Sequence, residues 1–211
     1  MLTLGISTSS GQFALVLGDN GKLLFHSDDL QIQDNKEIAL LMTKCLEQTG
    51  ILVKDISNII VDIGPGGTSR VRTGIAFANS LAYSLGISVC PVPSMELAGL
   101  DAYEKYSLPV ISTVKSISGN AYIGFYNDNK LISIDYGTVN NVVPQLVNNI
   151  DEFVVVGFHK EIIKNLLPNK IIHDSGLLFG NARILVEKSH LFLDRALKFP
   201  QFAVPITEKT T

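Results

Sequence analysis

The sequence of 211 residues contains no tryptophan, only two cysteines and no long apolar run. The cysteines, Cys45 and Cys90, are too few for a disulfide framework or a cysteine metal cluster, and they favour a reducing compartment. The longest apolar segments, such as Phe153–Val156, are far shorter than the roughly 20 residues that a membrane-spanning helix needs. Charged residues make up only 18% of the chain and hydrophobic residues 46%, a balance that excludes a disordered protein.

Clusters of lysine and arginine are also missing, and the net charge is −3. Because nonspecific nucleic-acid binding depends on concentrated positive charge, a protein of this composition that acts on RNA needs another component to hold the RNA. The first residues, MLTLGIST, lack the basic segment of a signal peptide. These absences predict a soluble cytoplasmic protein with no membrane segment.

The same order of predicted elements occurs in both halves of the chain. In each half, three strands precede a helix and a further strand, and a turn containing Asn or Asp joins the second strand to the third. This order predicts an α/β fold that duplicates a β-β-β-α-β-α unit, with a generic α/β protein containing two similar hairpins as the alternative. The predicted strands are Leu2–Ser7, Phe13–Leu17, Leu23–His26 and Asn58–Ile63, then Val110–Val114, Ala121–Tyr126, Leu131–Ile134 and Phe153–Gly157.

The repeat divides the chain into three predicted segments. We expect residues 1–106 to form an N-terminal lobe and residues 107–198 to form a C-terminal lobe. Residues 199–211 are predicted to be an extended tail, because Pro200 and Pro205 disfavour regular structure there.

Two predicted helices of the first half are unusually apolar. The first begins at Asp34, whose carboxylate can cap it, and continues to Thr49. Its apolar stripe contains Ile38, Leu41, Met42 and Cys45. The second helix, about Arg72–Leu85, is rich in glycine, alanine and serine, which suits either a tightly packed core or a close interface. Its apolar surface nearly encircles the helix, so we expect one face to meet a sheet and another to meet something else.

A glycine-rich loop precedes the second helix and contains Gly64, Pro65, Gly66 and Gly67. Such a loop between a buried strand and a helix predicts a sharp turn. The free amides at the start of the helix could hold a phosphate or carboxylate, but a purely structural turn is an equal alternative. Arg70 and Arg72 could bind the same anion or pair with acidic side chains.

Two further polar loops occupy equivalent places in the repeat, Ser7–Gly11 and Lys115–Asn120. In the actin-like ATPase architecture, which contains this unit twice, loops at these positions hold nucleotide phosphates and usually begin with an aspartate. Here Ser7 and Lys115 stand at those places, so the carboxylates that would position a metal ion are missing. Lys115 could contact a phosphate directly or be an ordinary surface lysine.

The chain resembles the bacterial TsaB (YeaZ) family of the actin-like ATPase (ASKHA) superfamily. The family motif Gly-Pro-Gly-Ser-Phe-Thr-Gly-Leu-Arg-Ile-Gly corresponds to residues 64–74, where Gly64, Pro65, Gly66, Arg72 and Gly74 are retained. The opening Asp-Thr-Ser-Thr of the family corresponds to residues 7–10, with a serine in place of the aspartate. The second-half motif Asp-Ala-Arg-x-x-Glu-Val-Tyr is almost entirely replaced at residues 115–122. The resemblance covers nearly the whole chain.

The resemblance implies a non-catalytic subunit of tRNA threonylcarbamoyladenosine modification, with no metal or cofactor of its own. It implies pairing with a TsaD-like catalytic subunit, contact with a TsaE-like ATPase and with tRNA only through the complex, and a homodimer when the chain is alone. In the family the two N-lobe helices form the pairing surface. The residues we expect at or near that surface are Ile38, Leu41, Met42, Cys45, Ile75 and Asn79. The alternative function is a small actin-like kinase or ATPase that binds nucleotide between its lobes.

Overall fold

We describe the chain from a computed structural model, for residues 1–10, 12–30 and 37–211. The predicted cap at Asp34 and the loop residue Gly11 lie outside these described residues. Within them, no helix has the length and apolarity that crossing a membrane requires.

The described residues form ten strands and six α-helices. The strands are β1 (Leu2–Ser7), β2 (Ala14–Asp19), β3 (Lys22–His26), β4 (Asn58–Asp62), β5 (Val89–Val92), β6 (Val110–Lys115), β7 (Ala121–Asn127), β8 (Lys130–Gly137), β9 (Glu152–Gly157) and β10 (Ile171–Asp174). The helices are α1 (Ile38–Thr49), α2 (Thr68–Leu85), α3 (Ser94–Tyr106), α4 (Val139–Leu146), α5 (Lys160–Leu166) and α6 (Ile184–Glu187). Short 3₁₀ helices span Ser27–Leu30, Val53–Asp55, Ser189–Leu191 and Leu193–Arg195.

The first compact unit contains Met1–Pro93 and Ala182–Pro205. Its five-stranded sheet has the order β3-β2-β1-β4-β5, with β1 antiparallel to β2 and parallel to β4. Leu4 and Ile6 point from β1 into the core cluster that also holds the apolar stripes of α1 and α2. Gly5 points to the opposite face, where Leu185 of α6 packs closely against it. Helices therefore cover both faces of this sheet.

The second compact unit contains Ser94–Asn181 and Ile206–Thr211. Its sheet has the order β10-β9-β6-β7-β8, which repeats the pairing of the first sheet strand for strand. Ile123 and Val155 lie in the core cluster with Val143 of α4. On the other face, Gly99 of α3 packs against the ring of Tyr126. The repeated topology confirms the predicted duplicated α/β fold.

The division of the chain differs from the predicted lobes in two places. Helix α3, assigned by its position to residues 1–106, belongs to the second unit because both of its faces are largely buried there. The segment Ala182–Pro205 returns to the first sheet, whereas the prediction assigned 107–198 to one lobe. The tail from 199 to 211 contains no helix or strand, and it is shared between the units at Pro205.

Candidate functional site

The apolar residues predicted at the partner surface lie in the core of the first unit. None of them is more than 7% exposed, because the stripe on which each lies is the one that packs against the sheet. They are Ile38, Leu41, Met42, Cys45 and Ile75. Burial also raises the pKa of the Cys45 thiol to about 12, so this cysteine is an inert core residue. These side chains anchor α1 and α2 to the core, so the exposed surface of both helices consists of other residues.

Asn79, the sixth predicted interface residue, is occupied by the tail of the chain. Its Nδ2 donates to the carbonyl oxygen of Ala203, and its Oδ1 accepts from the Ala203 N–H, both at 2.9 Å. One turn further along α2, Tyr83 packs against Phe199 and Phe202, with ring centroids 5.8 and 6.1 Å apart. The tail is thus fastened along the C-terminal half of α2.

The outward face of α2 consists of small and polar residues. Ser69, Thr73, Ala76 and Ser80 are exposed and follow one another at helical spacing. Arg72 is exposed beside them, and in residues 1–10, 12–30 and 37–211 it forms no ion pair. The face ends at the half-exposed aromatic group of Tyr83, Phe199 and Phe202, which we call the aromatic patch. This face, which we call the flat face of α2, and the aromatic patch lie on the side of the helix opposite its buried apolar stripe.

The glycine-rich loop packs directly against the first polar loop. Gly64 has a φ of 83°, which favours glycine, and the Gly67 N–H donates to the Ser9 carbonyl oxygen at 3.3 Å. A Cβ on Gly66 would lie 2.5 Å from that same oxygen. Protein atoms therefore fill the space in front of the start of α2, which favours the structural interpretation of this loop over an anion cradle.

Gly74 brings the next turn of α2 against the same polar loop. A Cβ there would lie 2.4 Å from Thr8 Oγ1, and this hydroxyl donates to the carbonyl oxygen of Arg70 at 2.7 Å. Gly66 and Gly74 are thus glycines because each lies too close to the first polar loop for a side chain, Gly66 to Ser9 and Gly74 to Thr8.

An unexpected carboxylate lies at the centre of these loops. Asp62, the last residue of β4, is only 1% exposed. Its Oδ2 accepts from the Ser7 hydroxyl at 2.7 Å and from the Ser9 hydroxyl, and its Oδ1 accepts from the Gly64 N–H at 2.8 Å. We call these residues the Asp62 cluster. It joins the end of β1, the end of β4 and the glycine-rich loop through one side chain.

The Asp62 carboxylate lies next to position 7, where this chain has a serine in place of the family's aspartate. Burial raises the pKa of Asp62, and the three hydrogen bonds oppose that rise only partly. Every donor comes from the chain itself, so the carboxylate is enclosed and not presented to a substrate. Sequence analysis missed Asp62, although an acid at the end of the apolar strand Ile59–Val61 signals a buried group that needs hydrogen-bond donors.

The close contact at Gly66 predicts a difference between two neighbouring substitutions. Gly66→Ala should lower the free energy of unfolding by about 1–3 kcal/mol, because the new methyl group meets main-chain atoms of Ser9. Gly67→Ala should cost about 1 kcal/mol or less, because its near neighbours are the flexible guanidinium atoms of Arg70. Urea denaturation of both variants measures the difference, and equal costs would contradict the packing described for Gly66.

Known proteins resemble the chain in sequence and in fold. The tRNA threonylcarbamoyladenosine biosynthesis protein TsaB of Buchnera aphidicola subsp. Schizaphis graminum is 24% identical over 185 residues, 87% of each chain. The tRNA N6-adenosine threonylcarbamoyltransferase of Fusobacterium nucleatum is 25% identical over 178 residues, 75% of this chain and 52% of the transferase. The chain thus spans about half the length of that enzyme. The solved structure of YeaZ from Pseudomonas aeruginosa superposes with a TM-score of 0.78 at 19% identity, covering 98% of this chain and 100% of the other.

The repeated sheets and the likeness to YeaZ define a duplicated actin-like ATPase fold. A family model described as TsaD, tRNA N6-adenosine threonylcarbamoyltransferase, matches residues 31–185. The chain belongs to this family, as one of its TsaB/YeaZ members.

Proposed function

We propose that the chain is a non-catalytic subunit of tRNA threonylcarbamoyladenosine biosynthesis that binds and supports a TsaD-like catalytic subunit. Its family membership supports the pathway. The enclosure of Asp62 supports a role without catalysis, because this carboxylate at the end of β4 is only 1% exposed and accepts hydrogen bonds from Ser7, Ser9 and Gly64. In the first polar loop, the hydroxyls of Ser7, Thr8 and Ser9 are buried, and that of Ser10 donates to the main-chain carbonyl oxygen of Gln12 at 2.9 Å.

The surface that supports the partner role is the outward face of α2 with the aromatic patch. Small side chains such as Ala76 and Ser80 let a second helix approach closely. Exposed aromatic residues are enriched at protein interfaces, and Tyr83, Phe199 and Phe202 are about half exposed. We therefore propose that the partner binds the exposed face of α2 and not the buried stripe that contains Ile75.

The same role includes the other expected partners, which are a second copy of the chain, a TsaE-like ATPase and tRNA. A face that is complementary to a related subunit can also pair with a second copy of itself, which gives a homodimer when the chain is alone. A TsaE-like ATPase and the tRNA would then meet this chain only through the catalytic subunit. The chain would need no cofactor and would work in the cytoplasm, where the tRNA is.

The proposal predicts a change of assembly when the catalytic subunit is added. Light scattering after size-exclusion chromatography should give a dimer mass for the purified chain and a heteromeric complex with the TsaD-like protein of the same organism. Threonylcarbamoyl transfer to tRNA should rise at least about tenfold when the chain is present. A monomer that forms no complex and gives no rise in modification would reject the proposal. Clear ATP turnover by the isolated chain would instead favour the kinase or ATPase alternative.

A further inference from the structure

The tail is anchored to α2 through its main chain. Asn79 donates to the carbonyl oxygen of Ala203 and accepts from its N–H, so one side-chain amide satisfies both main-chain polar groups of one residue. The methyl group of Ala203 is buried in the core cluster of the first unit. We call this arrangement the Asn79 clamp. It fixes a segment, residues 199–205, that contains no helix or strand of its own.

The clamp also holds the neighbouring aromatic rings at the surface. Phe202 directly precedes Ala203, and the rings of Phe202 and Phe199 both pack against Tyr83. Both phenylalanines nevertheless stay about half exposed. Rings that are already held in place lose little conformational entropy when a second apolar surface covers them. The clamp therefore makes the aromatic patch a preorganised binding element.

The composition of this segment indicates what kind of surface can cover it. Residues 199–207 contain no charged side chain, and the exposed Val204 adds to the apolar surface of the rings. Because unpaired charges are unfavourable against such groups, the covering surface must be apolar and must have hollows that accept aromatic rings. The aromatic patch is continuous with the flat face of α2, so one partner can cover both.

We infer, on the basis of the proposed function, that the tail is an integral part of the surface that binds the TsaD-like subunit, and that Asn79 is the positioning residue that holds the tail there. The catalytic subunit covers Phe199 and Phe202 with an apolar surface, whereas Asn79 contacts the tail and acts through it. Asn79 was predicted at the partner surface from the sequence, and the clamp gives it an indirect role at that surface. A tail that only covered α2 until the partner displaced it would have the opposite effect on binding.

Limited digestion with chymotrypsin tests the clamp in the full-length chain. Chymotrypsin cleaves after aromatic residues, and the bond between Phe202 and Ala203 becomes accessible when Ala203 leaves α2. Asn79→Ala removes both hydrogen bonds to Ala203, so it should speed cleavage of this bond at least about tenfold under native conditions. Mass spectrometry of the released residues 203–211 measures the rate. An unchanged rate would mean that Asn79 does not hold the tail, and it would overturn the inference.

Binding of the TsaD-like subunit then tests whether the positioned rings take part. Phe202→Ala should weaken binding at least about tenfold, because it removes an exposed ring that is already in place. Phe158→Ala is the matched control and should bind within about twofold of the wild type. Phe158 is 45% exposed in the second unit and its ring lies 5.5 Å from that of Phe179, whereas Phe202 is 53% exposed and lies 6.1 Å from Tyr83.

A double-mutant cycle shows whether Asn79 acts through the tail. Asn79→Ala alone should weaken binding at least about tenfold, and adding Phe202→Ala to it should weaken binding less than about threefold further, because the ring is then no longer in place. Additive effects, or tighter binding by Asn79→Ala, would overturn the inference. A wild-type chain that binds no better than the two single variants would also overturn it and leave the proposed function standing. A wild-type chain that forms no complex would reject the proposed function, and the inference with it.

Discussion

Replacing Asp62 with alanine should lower the free energy of unfolding by about 3–5 kcal/mol. The carboxylate accepts hydrogen bonds from Ser7, Ser9 and Gly64, and its removal leaves these buried donors without their acceptor. Each unsatisfied buried donor costs about 1–3 kcal/mol, and the loss falls on the junction of two loops with β4. Urea denaturation of the wild type and the variant measures the effect.

The Asp62→Asn variant separates hydrogen bonding from charge. Its amide oxygen can still accept from the Gly64 N–H, and its amide NH₂ can donate to the serine hydroxyls, which also accept, so it should cost about 1 kcal/mol or less at neutral pH. A cost near zero for Asp62→Ala, with Asp62→Asn equal to it, would mean that the cluster contributes nothing to stability.

The same pair of proteins has an expected pH dependence. Burial raises the pKa of Asp62 above its ordinary 3.8, so the folded state holds the proton more tightly than the unfolded state. The stability that this raised pKa contributes is therefore fully present below pH 3.8 and is lost as the pH rises through the folded-state pKa. The wild type should lose stability relative to Asp62→Asn as the pH rises above this value. Parallel stability curves for the two proteins would contradict the raised pKa.

Eight of the ten described strands were predictable because their periodicity is local, whereas β5 and β10 were not part of the predicted unit. β1 has the predicted bounds, Leu2–Ser7, and the other strands of the repeat differ from prediction by only a few residues at their ends. The hairpin turns contain Asn20 at φ 48° and Asp128 at φ 49°, residues that tolerate the left-handed conformation. Alternation and turn chemistry were sufficient to identify the duplicated unit.

The path of the chain after β10 was not predictable from local patterns. Residues 182–205 contain a four-residue helix and two short 3₁₀ helices, so they have no long amphipathic period. What places α6 on the first sheet is long-range packing: Leu185 and Val186 fill the space beside Gly5 and Gly18. A glycine in a strand indicates that something approaches closely, but the sequence does not say what.

The partner surface could not be predicted from the sequence for a different reason. An apolar stripe on a helix indicates burial, but the same pattern suits burial against a sheet or against another protein. Leu41, 0% exposed, turned out to face the sheet, whereas the exposed face of α2 is marked by the absence of large side chains. The role of Asp62 was not predictable from local patterns, because the serines that donate to it lie 55 and 53 residues away along the chain.

The two faces of the helices predict opposite outcomes for two charged substitutions. Leu41→Asp should destabilise the protein by about 5 kcal/mol, because it removes a core side chain and buries an unpaired charge. This is comparable with the whole stability of a typical domain, so most of the variant should be unfolded or insoluble. Circular dichroism and the soluble yield are sufficient to measure it. If the Leu41→Asp protein instead folds normally and only fails to dimerise, the interface contains the apolar stripe of α1 and the proposed exposed face is wrong.

Ala76→Arg should do the reverse, leaving the fold intact and abolishing assembly. Ala76 is exposed in the middle of the flat face of α2, so the free energy of unfolding should change by about 0.5 kcal/mol or less. In the complex the long charged side chain would separate the surfaces, and affinity for the TsaD-like subunit should fall at least about a hundredfold. Ser57→Arg, an equally exposed position outside α1 and α2, is the control and should bind normally. Because the two arginine variants carry the same charge, a loss of binding confined to Ala76→Arg locates the interface on α2, and normal binding by both would exclude this face.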